Sequence, residues 1–396
     1  MVADESNEIS NNKRMKRSYA IDVFRGLTIT AMILVNNPGT WNHMYAPLAH
    51  AEWHGWTMTD LIFPFFLIIV GVAISMSFGA GSKAQLERTV QLKEIALRAL
   101  KLYGLGLFLA LFFIEFHNPE FNWVDDRLLS VRLVGVLQRI AFVYFISSLI
   151  FLYVSESRHL LLFFGALVIY WLLMMLVPYP LPTGETVQGL LIPGNNLAAY
   201  IDHHMIGADH MYLKNTLPYA SDPEGLLSTI PAVASCIGGF FIANILRNSQ
   251  SHIDQIKQLL IMGMGSLVLA YIASIWIPFN KNLWTPSYVL LAQGLAGYLL
   301  ALIVYVTELK NYRYGMKPFV VFGMNAIALF MLSGIVARIL LMIRVDDDSL
   351  KGWLFNLIKQ LPLSLENQSL IFAILFLVVM YVPLYWMYQK RIFWKV

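Results

Sequence analysis

The stretch of the chain best equipped for chemistry runs from Asn36 to Asp60, between two long apolar segments. It contains the three histidines His43, His50 and His54, together with three tryptophans and the carboxylate of Glu52, and it has no lysine or arginine. A histidine takes up and releases protons near neutral pH, because its unperturbed pKa is about 6.5. The composition therefore predicts an acid–base or nucleophilic site. The alternative is an aromatic loop at a membrane interface, where Trp and Tyr collect.

The pattern favours one of these histidines as a general base or a nucleophile. Their spacing supplies no third ligand at a recognisable interval, so no metal site is predicted. No nucleophile elbow accompanies them, which argues against a Ser–His–Asp triad. The amide of Asn36 is a candidate for fixing the tautomer of the imidazole. The residues alone leave the choice among His43, His50 and His54 open.

Ionisable side chains also occur inside the apolar segments, where they cost several kcal/mol unless they face a cavity or a partner. Asp22 and Arg25 are three residues apart and share one helix face. Asp60 opens the second segment, and Arg139 lies about 12 Å into the fourth, too deep to reach the lipid headgroups easily. These four residues predict a polar cavity through the helix bundle, which they shape. Structural pairing is the alternative for each of them taken singly.

Two cations, Arg98 and Lys101, lie near one end of the third apolar segment. Such a cationic mouth suits an anionic ligand such as a phosphate. The alternative is a positively charged fringe that contacts lipid headgroups.

The elements that must position these residues are membrane-spanning helices. Hydrophobic residues make up 58% of the chain and charged residues 13%, whereas about a quarter of the residues of soluble proteins are charged. Many apolar runs approach the roughly 20 residues that a helix needs to cross a bilayer. The sequence therefore predicts an all-α polytopic membrane protein with about ten spans, at residues 18–37, 57–79, 94–116, 131–154, 159–178, 225–246, 256–278, 287–308, 318–343 and 368–389.

Lysines and arginines concentrate in alternate loops and in both termini, which predicts that both termini are cytoplasmic. The Asn36–Asp60 stretch then faces the outside. The longest connection, residues 179–224, is predicted to form an external cap and carries a second histidine group between Asp202 and His210. A connection of this length is uncommon unless it is functional or partly folded.

Residues 1–17 are expected to be a disordered cytoplasmic tail, and residues 18–396 a single integral-membrane domain. The lone cysteine, Cys236, excludes a disulfide within the chain and a cysteine-based metal site. No basic, aromatic-interleaved soluble surface is present, so nucleic acid is not an expected partner.

Several motifs resemble the heparan-α-glucosaminide N-acetyltransferase family, and in particular its bacterial NagX-like members. The most specific are Asp-Val-Phe-Arg-Gly at residues 22–26 and His-Ala-Glu-Trp at residues 50–53. The resemblance extends over nearly the whole chain from about Tyr19, through residues 18–27, 34–39, 50–57, 59–64, 135–140, 222–229, 280–285 and 318–326.

The resemblance implies an integral-membrane acyltransferase domain that moves acetyl from cytoplasmic acetyl-CoA to the amino group of a glucosamine-type sugar on the far side. The active-site histidine of the family falls on His50, and its asparagine partner falls on Asn36. We expect the protein to differ from the animal enzyme in lacking its lumenal N-terminal domain and extra span, and a periplasmic amino sugar or cell-wall fragment is the expected acceptor. The resemblance further implies a homodimer, here in the bacterial inner membrane.

Two routes are open for such an enzyme: His50 deprotonates the amino sugar, or it is itself acetylated first. Asn36 would orient the imidazole or bind the carbonyl oxygen, and Arg98 and Lys101 would bind the CoA phosphates. The runner-up function is a permease for N-acetylglucosamine or a related amino sugar. The basic mouth favours the enzyme, because a neutral sugar has no use for phosphate-binding cations.

Overall fold

The computed structural model describes residues 18–79, 81 and 83–394; the predicted tail at residues 1–17 lies outside them. Within these residues the chain folds into helices joined by short turns and two small antiparallel hairpins. The helices are α1 Tyr19–Asn36, α2 Ile62–Gly79, α3 Arg88–Leu111, α4 Val136–Tyr153, α5 His159–Leu176, α6 Leu197–Ile206, α7 Thr229–Asn248, α8 His252–Ser274, α9 Pro286–Val304, α10 Lys317–Met324, α11 Ala326–Met342, α12 Leu350–Ile358 and α13 Leu365–Gln389. The hairpins pair β1 Tyr179–Pro180 with β2 Thr186–Val187, and β3 Arg344–Val345 with β4 Asp348–Ser349.

The architecture confirms the predicted all-α polytopic membrane fold. Among the described residues, eight helices are long and apolar enough to cross a membrane, and α10 with α11 makes a ninth if the bent pair is one span. The third predicted span corresponds to α3, which is 24 residues long but is not in that set. Its charged residues lower its hydropathy. The count of ten spans therefore stays a prediction.

Close helix crossings hold the centre of the bundle together. A Cβ atom on Gly26 of α1 would overlap the backbone of Phe319 in α10, and one on Gly71 of α2 would overlap the carbonyl of Cys236 in α7. Small residues at such crossings allow backbones to approach within van der Waals contact, which is a main source of stability between helices in lipid. Both crossings fix α1 and α2, the two helices that flank the Asn36–Asp60 stretch.

The break between α10 and α11 is a sharp bend of 86° at Asn325. The Asn325 side chain donates to the carbonyl of Ile392 at 3.0 Å and accepts from the backbone N–H of Trp394 at 2.9 Å. Irregular backbone at membrane depth is tolerated where it is buried in protein or lines a cavity. The residues on both sides of this bend line a cavity described below.

The connection predicted as a cap is partly folded. Asn196 caps the N-terminus of its helix α6, because the Asn196 side chain accepts a hydrogen bond from the N–H of Ala199 at 2.9 Å. Buried residues of the cap, including Tyr179 and Leu197, pack on Tyr170 of α5. The indole of Trp53 donates to the carbonyl of Leu191 at 2.7 Å, so the Asn36–Asp60 stretch is attached directly to the cap.

Candidate active site

A histidine–aspartate pair lies at the centre of the Asn36–Asp60 stretch. Asp60 belongs to a short helical turn at the start of α2 and is 1% exposed. Its Oδ1 atom is 2.6 Å from Nδ1 of His50, and its Oδ2 atom accepts from the N–H groups of Ala51 and Thr57 at 3.1 and 3.0 Å. One carboxylate thus fixes both the imidazole and the loop that carries it. Because an ionised carboxylate only accepts, the proton lies on Nδ1 and leaves Nε2 of His50 as a base or nucleophile.

This pairing does not involve Asn36, and both roles that the sequence suggests for Asn36 stay predictions. Asn36 lines the same cavity as His50, but within the described residues no hydrogen bond joins the two. Asp60, which the sequence placed among the residues that shape the cavity, occupies an orienting position. The amide of Asn36 therefore remains available for a substrate, and its predicted contact with the carbonyl oxygen stays a prediction.

Lys281 is the cation next to His50. Its Nζ atom lies 3.3 Å from Nδ1 and 3.4 Å from Nε2 of the imidazole. Burial lowers the pKa of Lys281, and the carboxylates of Glu224 and Asp60 partly offset that effect. A positively charged group so close to the imidazole is suited to stabilise negative charge that develops on a reacting carbonyl oxygen.

The opposite wall is built around Arg132. Its guanidinium donates to Asp222 through Nε at 2.8 Å and through Nη2 at 2.6 Å, and Nη2 lies 2.5 Å from Glu224 Oε2. Burial is the largest single influence on the pKa of Glu224 and acts to raise it, but Arg132, Lys281, Arg139 and Asp222 together outweigh burial and lower that pKa overall. Glu224 therefore presents an ionised carboxylate to the cavity, which is a suitable partner for an amine.

Together these residues enclose what we call the His50 cavity, about 520 Å³ in volume. Its lining includes Asn36, His50, Asp60, Arg132, Glu224 and Lys281. The volume lies within the range of small-molecule sites.

The loop that carries Glu224 is held by two buried groups. Arg139 is 1% exposed and donates to the carbonyl of Gly225 at 2.7 Å and to Ser228 Oγ at 2.6 Å. Asp202 in α6 accepts from the N–H of Leu226 at 2.8 Å. A Cβ atom on Gly225 would overlap the Asp202 carboxylate, so the loop passes very close to that helix. The sequence suggests that Arg139 shapes the cavity, and its guanidinium group in α4 holds the loop that forms one wall.

Asp202→Asn is expected to stabilise the protein increasingly as the pH rises. Burial raises the pKa of Asp202 to about 7. Because the folded pKa lies above the ordinary value, ionisation costs folded-state stability, and the cost grows as the pH rises towards 7. Asparagine removes that cost and keeps an oxygen that accepts from Leu226. The free energy of unfolding of the variant relative to the wild type should therefore increase by about 2–3 kcal/mol between pH 5 and pH 8.

Equilibrium unfolding at several pH values measures this difference. Asp209→Asn, at an exposed position of the cap, is the control. A gain that does not change with pH would contradict the assignment.

A second cavity, which we call the Arg98 cavity, has a volume of about 500 Å³ and is lined by Arg25, Lys83 and Arg98. The guanidinium of Arg98 lies 4.8 Å from the centre of the Tyr144 ring, and its Nε atom is buried without a hydrogen-bond partner among the described residues. Lys83 pairs with Glu94 at 2.5 Å. Lys101 is exposed and does not line this cavity.

Arg25 and Asp22 form an ion pair at 3.5 Å, and Arg25 also donates to the carbonyl of Gly323 at 3.4 Å, next to the bend between α10 and α11. The predicted pair is therefore formed, and its arginine lines the Arg98 cavity.

The two cavities meet. Met32 of α1 and Val136 of α4 line both the His50 cavity and the Arg98 cavity. Arg25 and Asn36 lie at opposite ends of this path, about 16 Å apart along α1 at 1.5 Å per residue. The His50 cavity and the Arg98 cavity are therefore separated by the apolar side chains of Met32 and Val136.

A family model described as "Heparan-alpha-glucosaminide N-acetyltransferase, catalytic" matches residues 17–274. The chain belongs to this family. It is 27% identical over 428 residues to the heparan-alpha-glucosaminide N-acetyltransferase of Mus musculus, and 26% identical over 424 residues to that of Homo sapiens. Each comparison covers 96% of this chain and 60% of the relative, so the chain spans 60% of the length of these curated relatives.

Membership of the heparan-α-glucosaminide N-acetyltransferase family confirms the resemblance found in the motifs. The narrower NagX-like assignment stays a prediction. The matched region contains His50, Asp60, Arg132 and Glu224. Among the described residues no group of three or more His, Cys, Asp and Glu side chains is placed to hold a metal ion.

The other histidines lie elsewhere. His43 pairs with Glu366 of α13 at 3.3 Å, and His54 contacts the Asn280 side chain at 3.3 Å. Burial lowers the pKa of His54, which favours its neutral form. The cap histidines His203 and His204 stack among tyrosines of the cap and do not line the His50 cavity.

Sequence reasoning missed Lys281, Glu224 and Arg132 as parts of the site. A signal existed for two of them, because Lys281 lies in the family-like stretch 280–285 and Glu224 lies in the stretch 222–229. Both residues are charged, lie inside family-like motifs and belong to loops predicted on the same side as His50. These three features together could have indicated a place in the site. Arg132 carries no comparable signal.

Proposed function

We propose that this family member is a transmembrane N-acetyltransferase. It takes acetyl from acetyl-CoA on the cytoplasmic side and passes it to the amino group of a glucosamine-type sugar on the external side. The observation that carries the proposal is the wall of Met32 and Val136, which separates a cationic cavity from a cavity that holds the His50–Asp60 pair. A thioester at that wall would lie within reach of His50.

The Arg98 cavity is the proposed entrance for CoA. Arg98 forms no ion pair with any described carboxylate, and Lys83 lines the same space. Guanidinium groups bind phosphate oxygens through charge-assisted, often bidentate hydrogen bonds. The apolar residues of the cavity, such as Phe66 and Leu102, would surround the pantetheine arm. The sequence also assigned Lys101 to the phosphates, but its exposed position outside the cavity favours Arg98 alone.

The His50 cavity is the proposed acceptor site. Glu224 is ionised and buried beside Arg132, and it would hold the ammonium group of glucosamine before transfer. Glu52, Asn36 and Asn282 also line the cavity and suit sugar hydroxyls, which both donate and accept hydrogen bonds.

In the direct route, the bound ammonium group first loses one proton to water, and Nε2 of His50 takes a second proton from the amine as its nitrogen attacks the thioester carbonyl carbon. A tetrahedral intermediate forms, and its oxyanion lies between Lys281 and the Asn36 amide. When it collapses, the carbon–sulfur bond breaks, and the CoA sulfur leaves with the proton from His50. Asp60 stabilises the imidazolium without accepting its proton.

In the covalent route, Nε2 of His50 itself attacks the thioester, the carbon–sulfur bond breaks, and the CoA thiolate takes a proton from water. The free amine then attacks the acetyl-imidazolium, releases one proton to water and restores neutral His50. Incubating the purified protein with radiolabelled acetyl-CoA and no acceptor separates the routes. Label that stays on the wild-type protein and is absent from His50→Ala supports the covalent route, and its absence supports the direct one.

Acetyl transfer from acetyl-CoA to glucosamine by the purified protein tests the function itself. We expect product from the wild type and none above background from His50→Ala. Uptake of labelled N-acetylglucosamine into proteoliposomes without acetyl-CoA, and no acetyl transfer, would contradict the proposal and support a permease.

Arg98→Gln is expected to raise the KM for acetyl-CoA by about 10- to 100-fold and to change kcat little, because it removes a charged contact to the part of CoA remote from the thioester. Steady-state kinetics with varied acetyl-CoA measures it. Lys101→Gln is the matched control, three residues away on the same helix but exposed, and should leave the KM unchanged. Equal effects of the two substitutions would show that general surface charge, and not the cavity, attracts CoA.

A further inference from the structure

A third cavity, of about 540 Å³, adjoins the His50 cavity and takes no part in the chemistry described above. The two share Asn36, Arg132, Val136 and Tyr212 as lining residues. Two further arginines, Arg127 and Arg338, line only the third cavity. We call it the Arg338 cavity.

These two guanidinium groups differ from Arg132 in having no acidic partner. Arg127 lies 4.4 Å from the centre of the Phe113 ring, and its Nε atom is buried without a hydrogen bond to any described residue. Arg338 donates at 2.9 Å to the carbonyl of Gly334 in its own helix. Within the described residues neither arginine forms a salt bridge, whereas Arg132 forms two.

One carboxylate, Asp126, also lines the Arg338 cavity. Its Oδ2 atom accepts from the N–H of Asn122 at 2.9 Å, and it reaches neither arginine within ion-pair distance. The cavity therefore has two cations that are not neutralised by the acid beside them. Partly buried guanidinium groups without a counter-ion are unfavourable, and an anion that bridges them removes that cost. Phosphate and carboxylate groups match the planar fork of arginine.

We propose that the Arg338 cavity binds a phosphate group that is attached to the amino-sugar acceptor. This inference rests on the proposed function and specifies its substrate class. With the amine at His50, the remainder of the acceptor would extend past Asn36 and Arg132 into the Arg338 cavity, because these residues border both spaces.

The surroundings of the Arg338 cavity fit an anionic sugar in solution and also one attached to a membrane lipid. Apolar side chains in the connection between α3 and α4, which carries Arg127, are exposed, among them Phe116 at 69% and Leu129 at 62%. Exposed apolar residues beside a cation are typical of a membrane–water interface. A phosphate on a lipid would reach the arginines from that side, and the shared chemistry is the anion.

The test compares three acceptors: glucosamine, glucosamine 1-phosphate, and glucosamine linked through a phosphate to a lipid in vesicles. For the wild type we expect kcat/KM to be at least about tenfold higher for an anionic acceptor than for glucosamine, the value of one charge-assisted contact. Arg338→Gln and Arg127→Gln should each reduce that ratio at least about fivefold. Arg344→Gln, an exposed arginine of β3 outside the cavity, should leave the ratio unchanged.

A second readout does not depend on catalysis. Without acetyl-CoA, glucosamine 1-phosphate should raise the unfolding temperature of the wild type more than glucosamine does, and Arg338→Gln should remove the difference.

A kinetic preference confined to the lipid-linked acceptor supports the inference and identifies the lipid as the source of the anion. Acetylation of glucosamine with no preference for either anionic acceptor overturns the inference and leaves the proposed function intact. Absence of acetyl transfer to all three acceptors overturns the proposed function instead.

Discussion

Asp60→Asn is expected to lower kcat for acetyl transfer by about 10²- to 10⁴-fold, the range in which an aspartate fixes a catalytic histidine. The Asp60 carboxylate accepts the Nδ1 proton of His50 at 2.6 Å and leaves Nε2 free. An asparagine amide that donates to Nδ1 moves the proton to Nε2, where it blocks both the general base and the nucleophile. The KM for acetyl-CoA should change little, because the residues proposed for CoA lie in the other cavity.

The control for this substitution is Asp209→Asn, the same change at an exposed position of the cap. The dependence of kcat on pH should also be compared between the variants. A change in the tautomer of His50 alters the acidic limb of this pH profile, whereas a purely structural loss does not. If Asp60→Asn keeps at least a third of the wild-type kcat, the pair does not act as described, and Asp60 only anchors the loop through Ala51 and Thr57.

Met32→Trp is expected to reduce acetyl transfer by about a hundredfold or more, since a reacting group displaced by about 1 Å already costs that much. Met32 lines both the His50 cavity and the Arg98 cavity. An indole at this position would block the proposed route of the acetyl group from one cavity to the other. Binding of acetyl-CoA should persist, measured as an increase in unfolding temperature on addition of the ligand. The Met32→Trp variant is therefore expected to lose acetyl transfer while it still binds acetyl-CoA.

Met32→Leu preserves side-chain volume and is the control, with transfer close to that of the wild type. Val136→Phe narrows the same passage from α4 and serves as a second variant if tryptophan prevents folding. Wild-type transfer rates in a folded Met32→Trp protein would show that acetyl does not pass between these cavities at Met32.

Composition and apolar segment length predicted the fold class, because crossing a bilayer imposes a length that any helix must meet. The span predicted at α3 stays a prediction, because the charges that line or flank the Arg98 cavity reduce the hydropathy of this helix. The cap was foreseeable as a long connection but not as a packed structure. Some of its contacts, such as the hydrogen bond from Trp53 to the carbonyl of Leu191, join distant parts of the chain and produce no local sequence pattern.

The site was predicted in part. His50, Asn36 and Asp60 were all selected, yet the partner of His50 was not, because a turn through Gly55, at φ of 102°, brings Asp60 back to it. No periodic pattern encodes such a loop. Lys281 and Glu224 reach the His50 cavity from loops far along the chain, and sequence spacing carries no information on that approach. Arg98 and Lys101 looked equivalent in sequence, and only packing against Tyr144 separates them.

The central claim is that acetyl crosses the protein from the Arg98 cavity to the His50 cavity. It is tested most directly in sealed vesicles of known protein orientation, with labelled acetyl-CoA on one side and glucosamine on the other. We predict labelled N-acetylglucosamine only when acetyl-CoA is on the side of the Arg98 cavity and glucosamine is on the opposite side, and none with His50→Ala. Product that forms only when both substrates share one side would contradict the account.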